Sequence, residues 1–322
     1  MRAVFVPRYG SPEVLEFRDI PKPKPKDDEI LIRVRYTTLH VGDTRIRAFR
    51  VPAAMWLPAR LYLGILRPRR PILGMELSGV VEVVGKDVTR FKPGDRVLAT
   101  TGFVGGAHAE YVCLPEDGDA HKQGLAIHVP EGLSMEEAAA LPNGAITAHL
   151  ILRGAGLEPG RRILIYGASG SVGTNAIQLA KHLGAHVTAV CSGRNLELVR
   201  RLGADAALDY TRDDFDLGRG EYDVVFDAVG KLSRRQAKRA LQKGGLYLNA
   251  NSSSNEQEFG RDELLYVAGL AQAGVLEAVI DRRYPFEDIA EAHRYVDTGR
   301  KRGHVIIEVS PLSVSDGRKT SL

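Results

Sequence analysis

Apolar and polar residues alternate with a period of two in several short segments of the first 125 residues, and this pattern predicts β-strands. The clearest segments are Arg2–Val6, Glu29–Tyr36 and Ser78–Val84. Phe91–Val97 places Pro and Gly in a turn that leads into a further strand. Because most connections are too short for crossover helices, we expect this part of the chain to form an irregular β-barrel.

The pattern changes at Ser134, which opens a capping box with Glu137 and predicts a helix as far as Leu141. Pro142 is expected to break or kink this helix, which then continues over residues 146–153. Beyond it, strands alternate with helices at a spacing typical of a parallel, doubly wound sheet. In chain order these segments are the strand Ile163–Tyr166, the helix Val172–Leu183, the strand Val187–Cys191, the helix Asn195–Leu202, the strands Ala206–Asp209 and Val224–Val229, a basic helix around Ser233–Gln242 and the strand Leu246–Asn249.

The last fifty residues return to a mixed pattern. It predicts a strand at Ala278–Asp281, a helix at Glu287–Thr298 and a final strand at Val305–Val309. With 322 residues the chain is long enough for two domains, each with its own core.

Composition and charge exclude several classes of protein. Hydrophobic residues make up 44% and charged residues 26% of the chain, which is ordinary for a globular protein. A net charge of +4 is too small to indicate nucleic-acid binding. Seven arginines do cluster locally, and we interpret them as a solvated basic edge near an anionic cofactor or substrate: Arg45, Arg47, Arg50, Arg60, Arg67, Arg69 and Arg70.

The two cysteines, Cys113 and Cys191, lie in separate strand-like segments and do not form a disulfide framework. Because the sequence starts directly with a strand, we expect no secretory signal and a cytoplasmic protein. Val51–Leu66 is the most apolar stretch, but it contains two prolines and an arginine and is too short to span a bilayer. It is expected to wall a substrate cleft or lie against the core, and contact with a membrane surface ranks third.

Residues 162–181 combine a buried strand, a tight glycine turn and the start of a helix. A helix N-terminus presents unpaired N–H groups and a partial positive charge, which suit the pyrophosphate of a dinucleotide. Gly170 would let the backbone approach the phosphates, and Gly173 would let the helix lie close to the strand. Alanine replaces the first glycine of the G-x-G-x-x-G motif. We predict cofactor contacts throughout the turn, from Gly167, Ala168, Ser169, Gly170, Ser171, Val172 and Gly173.

The end of the second strand indicates which dinucleotide binds. NAD-binding sites usually place Asp or Glu there, facing the ribose 2′-OH. This chain has Ser192, Gly193 and Arg194 instead, which suit a 2′-phosphate because Arg binds it bidentately. The alternative is that Ser192 and Asn195 only cap the next helix, with Arg194 solvated. We favour the phosphate interpretation and therefore NADPH.

Four motifs resemble the medium-chain dehydrogenase/reductase superfamily, most closely its zinc-independent quinone oxidoreductase-like branch. They are Lys92–Val97, Tyr166–Gly173, Asp223–Gly230 and Gly303–Ile307. The resemblance covers nearly the whole chain. It implies an α/β fold in which a GroES-like irregular β-barrel catalytic domain accompanies a Rossmann domain with a doubly wound parallel sheet.

The resemblance also implies domain limits: a GroES-like catalytic domain at 1–127, a Rossmann NADPH-binding domain at 128–274, and a return segment at 275–322 that completes the catalytic domain. In that family an apolar edge strand often pairs across a dimer after the strand Gly245–Asn249. Here the polar run Asn251–Gly260 follows instead. Either the usual dimer strand is absent or the sequence lacks a piece, so a homodimer is left open.

Zinc-dependent relatives need a Cys, a His-Glu pair and a third ligand, with one coordination position left open. The corresponding residues here are His40, Met75 with Glu76, and Asn143. Met75 is a poor ligand for Zn²⁺, and the thiolate is missing. His40 with Asp43 and Glu76 is more simply explained by hydrogen bonding, so we predict no metal.

Without a metal, hydride addition to a conjugated acceptor is easier than reduction of an isolated ketone, because the charge spreads over an enolate or a quinone ring. We therefore expect NADPH-dependent reduction of a small-molecule quinone or α,β-unsaturated carbonyl, with no nucleic-acid partner and no membrane span. Two alternatives stay open: an alcohol or aldehyde dehydrogenase with an altered metal site, and a non-catalytic NADPH-binding redox sensor.

The resemblance places His40, Asp43 and Arg45 beside the nicotinamide as catalytic candidates. His40 is expected to donate a hydrogen bond or proton to the acceptor, or else to orient Asp43 or a turn; Arg45 is alternatively solvated. Further cofactor contacts are expected from Asn143, Thr147 and Tyr210, and from Asn249, which ends a strand at the carboxyl edge of the sheet. Trp56 and Tyr62 are candidates for the acceptor pocket, or for burial in the barrel wall.

Overall fold

The computed structural model describes residues 1–120, 122–250 and 259–310. The predicted α/β fold is confirmed, because one large antiparallel sheet and one parallel sheet with helices on both faces account for the described chain. The polar run predicted after Asn249 lies almost wholly outside the described residues, as does the end of the predicted return segment beyond residue 310.

The first sheet has seven strands and is mainly antiparallel. Its central strand, Glu29–Thr38, pairs with strands from both ends of the chain. A separate hairpin is formed by β1 (Arg2–Phe5) and β2 (Glu16–Asp19). The seven strands are β3 (Glu29–Thr38), β4 (Glu76–Val84), β5 (Arg96–Thr100), β6 (Tyr111–Pro115), β7 (Leu125–His128), β13 (Ile280–Pro285) and β14 (His304–Glu308).

The second sheet has five parallel strands. Their order across the sheet is β10 (Ala206–Asp209), β9 (His186–Cys191), β8 (Arg162–Tyr166), β11 (Tyr222–Asp227) and β12 (Leu241–Asn249). Alternate residues of the central strand face opposite hydrophobic clusters: Ile163 and Ile165 pack into one, and Leu164 into the other. A strand buried on both faces is continuously apolar, which is why the sequence marks it clearly.

The helices predicted beyond Ser134 lie close to their predicted positions, whereas the two helices at Val41–Ala48 and Trp56–Leu63 were not predicted. Pro142 separates two helices rather than kinking one: the first ends at Ala139 and the second begins at Pro142. The first N–H of a helix has no partner within the helix, so its absence in proline costs nothing there. No helix in the described ranges is long and apolar enough to cross a bilayer. The helices are α1 (Val41–Ala48), α2 (Trp56–Leu63), α3 (Met135–Ala139), α4 (Pro142–Gly154), α5 (Ser171–His182), α6 (Leu196–Arg201), α7 (Arg234–Ala240), α8 (Arg261–Gln272) and α9 (Ile289–Asp297).

Candidate active site

The glycine turn joins β8 to α5 at the carboxyl edge of the parallel sheet. Gly167 has a φ of +78°, and the N–H groups of Gly167 and Ala168 both donate to the carbonyl of Val190 at 3.0 Å. Gly170 precedes the first residue of α5 and makes no side-chain cap hydrogen bond. The first turn of α5 is therefore suited to accept an anion.

Gly170 and Gly173 have different surroundings. A Cβ on Gly173 would lie 2.4 Å from the carbonyl oxygen of Gly167 and 2.7 Å from the Cα of Ala168, so only glycine allows α5 to lie this close to the turn. A Cβ on Gly170 would meet only the Gly167 oxygen, at 3.5 Å. Protein atoms thus leave the space beside Gly170 open, and a cofactor phosphate fits there.

The loop after β9 is held by Asn195, which is buried. Its Nδ2 donates to Ser169 Oγ at 3.0 Å and to Ser192 Oγ at 3.2 Å. Ser192 and Asn195 stand at the N-cap positions of the two helical segments that follow, but neither side chain makes a capping hydrogen bond, and Arg194 is exposed. Asn195 Oδ1 is buried without a hydrogen-bond partner among the described residues. The side chain of Asn195 therefore joins this loop to the glycine turn.

A carboxylate that sequence reasoning missed lies beside the same loop. Asp209 ends β10, and a Cβ on Gly193 would lie 2.4 Å from its Oδ2. Hydrogen bonds from Thr211 lower the pKa of Asp209. Arg194 donates through Nη2 to the carbonyl oxygen of Arg300 at 3.1 Å. The parallel register that aligns Asp209 with Cys191 would have predicted this neighbour.

Two other predicted cofactor residues lie along the edge of the sheet. Tyr210 is half-exposed, and its ring centroid lies 6.2 Å from that of Tyr166, so it offers an aromatic face near the glycine turn. Asn249 donates to the hydroxyl oxygen of Tyr247 at 3.2 Å and lies beside the buried carboxylate of Asp227. The position of Asn249 is thus fixed by its neighbours on the sheet.

A cleft of about 150 Å³ lies where the two sheets meet. It is lined by His40 and Met75 from one side and by Asn143 and Thr147 of α4 from the other. Phe103 also lines it. The fold therefore brings His40, Asn143 and Thr147 together, although 102 residues of sequence lie between the first two.

His40 is fixed by the N-terminus of α1. The ring Nδ1 of His40 accepts a hydrogen bond from the backbone N–H of Gly42 at 3.0 Å. The backbone N–H of His40 donates to Asp43 Oδ2 at 2.9 Å. Burial, and to a lesser extent the charge of Lys301, lowers the pKa of His40 to about 4. The ring is thus neutral at pH 7, and because Nδ1 is an acceptor, the proton is on Nε2.

The other two catalytic candidates have different environments. Asp43 is buried, and both its oxygens accept backbone N–H groups, from His40 and from Gly74 at 3.0 Å. Asp43 therefore positions His40. Arg45 is exposed on α1.

Glu76 is buried behind His40. It accepts hydrogen bonds from the Thr38 hydroxyl and from the N–H of Asn143, the latter at 2.7 Å. Burial raises the pKa of Glu76 to about 7. Burial also disfavours the charged form of Lys301 and lowers its pKa to about 8. The Lys301 ammonium donates to the Gly303 carbonyl at 2.6 Å. Sequence reasoning missed Lys301, because the run Arg300–Arg302 resembles a solvated basic turn.

The donor set does not fit a zinc ion. His40 Nδ1 and both oxygens of Glu76 are already engaged in hydrogen bonds. Of the ligand atoms that His40 and Glu76 could offer a zinc ion, only His40 Nε2 is available. Met75 and Asn143 stand at the other two predicted positions. Within the described ranges, no group of three His, Cys, Asp or Glu residues has the spacing to hold a metal ion.

Two polar groups at the cleft lack partners. Asn143 Nδ2 and His304 Nε2 are buried without a hydrogen bond among the described residues. They flank Gly144, where an added Cβ would lie 2.9 Å from His304 Cε1. Since unsatisfied buried polar groups are costly, this corner fits the polar end of a bound ligand such as a nicotinamide carboxamide.

Comparisons with known proteins agree with this arrangement. Residues 26–124 match the family described as alcohol dehydrogenase GroES-like domain, and residues 171–279 match the family described as zinc-binding dehydrogenase.

Individual relatives match almost the whole chain. A 2-methylene-furan-3-one reductase from Solanum lycopersicum is 32% identical over 97% of this chain and 80% of its own length. An NADPH-dependent alkenal/one oxidoreductase of chloroplasts from Arabidopsis thaliana is 30% identical over the same shares. Among solved structures, the quinone oxidoreductase from Coxiella burnetii matches with a TM-score of 0.83 and 29% identity, covering 96% of this chain and 99% of its own.

Proposed function

Because this chain belongs to the medium-chain dehydrogenase/reductase superfamily, in its quinone oxidoreductase-like branch, it is a nicotinamide-dependent oxidoreductase, and we propose that it reduces quinones or α,β-unsaturated carbonyls with NADPH and without zinc. The observation that carries the proposal is the state of His40. A neutral imidazole with its proton on Nε2 lines the cleft, and the described part of the chain places no set of metal ligands around it.

The cofactor would be held along the carboxyl edge of the parallel sheet. The N–H groups at the start of α5 would bind its pyrophosphate, Arg194 its 2′-phosphate, and Asn143 with Thr147 its nicotinamide half. When bound, NADPH supplies a hydride to the acceptor.

The chain's own contribution is to stabilise the charge that develops on the acceptor oxygen. His40 Nε2–H donates a hydrogen bond to that oxygen, and Asp43 keeps the ring in place. Because the pKa of His40 is lowered to about 4, the ring acts as a neutral hydrogen-bond donor, and the proton that completes the reduction comes from water. We assign no chemical role to Arg45, which is exposed.

Absorbance at the NADPH band tests the proposal directly. Purified protein is mixed with NADPH and, separately, with a short-chain quinone, an enone and an aldehyde, and its zinc content is measured in parallel. We expect NADPH oxidation with the quinone or enone that is unaffected by a chelator. Oxidation with the aldehyde alone and stoichiometric zinc would support an alcohol dehydrogenase. Tight NADPH binding without oxidation by any acceptor would support a sensor.

A further inference from the structure

Residues 53–66, which we term the apolar arm, expose an unusual amount of hydrophobic surface. The arm contains α2 and the turns on either side of it. Seven of its large apolar side chains are 51% to 84% exposed, Leu63 is partly buried, and α2 fully buries none of its residues. These side chains are Met55, Trp56, Leu57, Leu61, Tyr62, Ile65 and Leu66. Contiguous apolar surface of this kind marks an interaction site.

Arg60, the charged residue of the arm, points toward the body of the protein. The Arg60 guanidinium lies 3.8 Å from the ring centroid of Phe49 and 4.7 Å from that of Tyr9. It also donates to the Ile65 carbonyl at 2.5 Å, and the Tyr9 hydroxyl donates to the Gly64 carbonyl at 2.8 Å. Cation–π contacts and the Tyr9–Gly64 hydrogen bond therefore hold the arm to the body, the Arg60–Ile65 hydrogen bond closes a turn within the arm, and Leu57 and Leu61 are left exposed.

The surroundings of the arm are basic, although not every local arginine is solvated as predicted: Arg47 is buried, and it and Arg50 pair with Asp297. Residues 44–75 contain seven arginines and no aspartate or glutamate. Arg67, Arg69 and Arg70 directly follow the arm and are exposed, and none of the three forms an ion pair within the described parts of the chain. An outward apolar face bordered by free arginines matches the chemistry of an anionic lipid surface.

A cavity connects the arm to the active site. It has a volume of about 360 Å³ and is lined by Tyr62 and Leu63 of the arm. Met75, Gly102 and Phe103 line both this cavity and the smaller cleft that contains His40. A ligand leaving a surface beneath the arm would therefore reach the reaction site through this cavity, which Arg69 and Arg70 also line.

We propose that the apolar arm docks this protein onto an anionic lipid bilayer, and that the acceptor is a quinone or enone with a hydrocarbon tail that enters from that bilayer. The second part rests on the proposed function. A second copy of this chain is a poorer occupant, because a two-fold interface through the arm would bring its unpaired arginines against one another.

Vesicle binding tests the docking without any turnover. The full chain is mixed with vesicles of phosphatidylcholine, with or without roughly 30% phosphatidylglycerol, and separated by flotation. We expect binding to the anionic vesicles that weakens with salt. Trp56 is the only tryptophan of the chain and lies in the arm, so its emission should shift to shorter wavelength on binding. No binding, or binding with unchanged Trp56 emission, would overturn the proposal.

Matched variants locate the contact. Leu57→Ser with Leu61→Ser should reduce vesicle binding at least tenfold, and replacement of Arg67, Arg69 and Arg70 by Gln should reduce it by roughly two orders of magnitude. The controls are Leu265→Ser, an exposed leucine of α8, and Gln replacements at Arg234, Arg235 and Lys238 of α7, which should bind like the wild type. If the Leu57/Leu61 variant instead converts a dimer into a monomer and no vesicle binding occurs, the arm is an interface between copies and the proposal fails.

Activity separates this inference from the proposed function. Anionic vesicles should raise turnover of a long-tailed quinone several-fold in the wild type but not in the Leu57/Leu61 variant. Turnover of a short, water-soluble quinone should be the same in both proteins. If no quinone or enone is reduced under any condition, the proposed function fails while vesicle binding stands on its own. If short quinones are reduced but vesicles are not bound, only the docking is refuted.

Discussion

The glycine turn and the apolar arm are built in opposite ways, although both lead to the same cleft. The turn is enclosed between β8 and α5, with backbone atoms within 3 Å of where a side chain on Gly173 would begin. The arm buries no residue of its helix and is held to the body through Arg60. The proposed cofactor side is thus constrained by backbone packing, whereas the proposed acceptor side is made of exposed side chains that can change without disturbing a core.

The largest expected effect comes from Gly173→Ala. The added Cβ would meet backbone atoms that cannot move independently, so we expect loss of measurable NADPH binding and a fall in Tm of roughly 5 °C or more. Calorimetric titration and thermal unfolding measure the two effects. Gly170→Ala is the control: its Tm should stay within about 2 °C of the wild type, while NADPH affinity falls about tenfold because the methyl group occupies the phosphate's approach. Equal Tm losses in the two variants would contradict this distinction.

Next in size is His40→Ala, which tests the acceptor side. Loss of one donor to the developing oxyanion should lower kcat about a hundredfold and leave the Kd for NADPH within about twofold. Steady-state kinetics and fluorescence titration check the two values. His40→Asn separates chemistry from capping, because its Oδ1 can accept the Gly42 N–H while its Nδ2 donates to the acceptor. It should recover most of the lost rate. An unchanged kcat in His40→Ala would reduce His40 to a helix cap.

Charge at the ribose end gives the third prediction. Arg194→Glu should weaken NADPH binding by roughly 30-fold to 100-fold and NADH binding by no more than about threefold, because only NADPH carries the 2′-phosphate. Removing the opposing charge with Asp209→Asn should act in the other direction and strengthen NADPH binding about twofold to fivefold. Dissociation constants for both nucleotides decide the matter, and equal losses for NADPH and NADH in Arg194→Glu would refute the assignment.

The smallest predicted effect concerns stability and pH. Glu76 keeps its proton in the folded protein up to about pH 7, whereas its ordinary pKa is 4.5. Its contribution to stability is therefore present below pH 4.5 and is lost as the pH rises through 7. The Gln side chain of Glu76→Gln cannot ionise, so the variant does not lose this contribution as the pH rises. The Tm of the variant minus the Tm of the wild type should therefore increase by roughly 2–4 °C between pH 5 and pH 7.5. Glu308→Gln, at the exposed end of β14, should show no such trend; a flat difference for Glu76→Gln would contradict the prediction.

Much of the fold could be predicted from the sequence, because strands buried on both faces and glycine-punctuated turns leave local marks. The close helix packing at Gly173 followed from the motif spacing, whereas the phosphate contact at Gly170 stays a prediction. The arm could not be oriented in this way, since an apolar run carries no sign of whether it faces the core or solvent. Lys301 was equally hidden, because only the tertiary structure turns one residue of a basic run toward the cleft. Cofactor specificity and the roles of His40, Asp43 and Thr147 remain predictions.

The bridge between the glycine turn and the strand β14 has a kinetic consequence. Gly303 donates its N–H to the carbonyl of Ser169 at 2.9 Å and forms a β-bridge with Gly170. The same short peptide also contains Lys301 and His304, and the Arg300 carbonyl accepts from Arg194. If the coenzyme binds as proposed, occupation of the glycine turn would bear directly on the groups near His40. Such a linkage favours a compulsory order of addition, with the coenzyme entering first and leaving last.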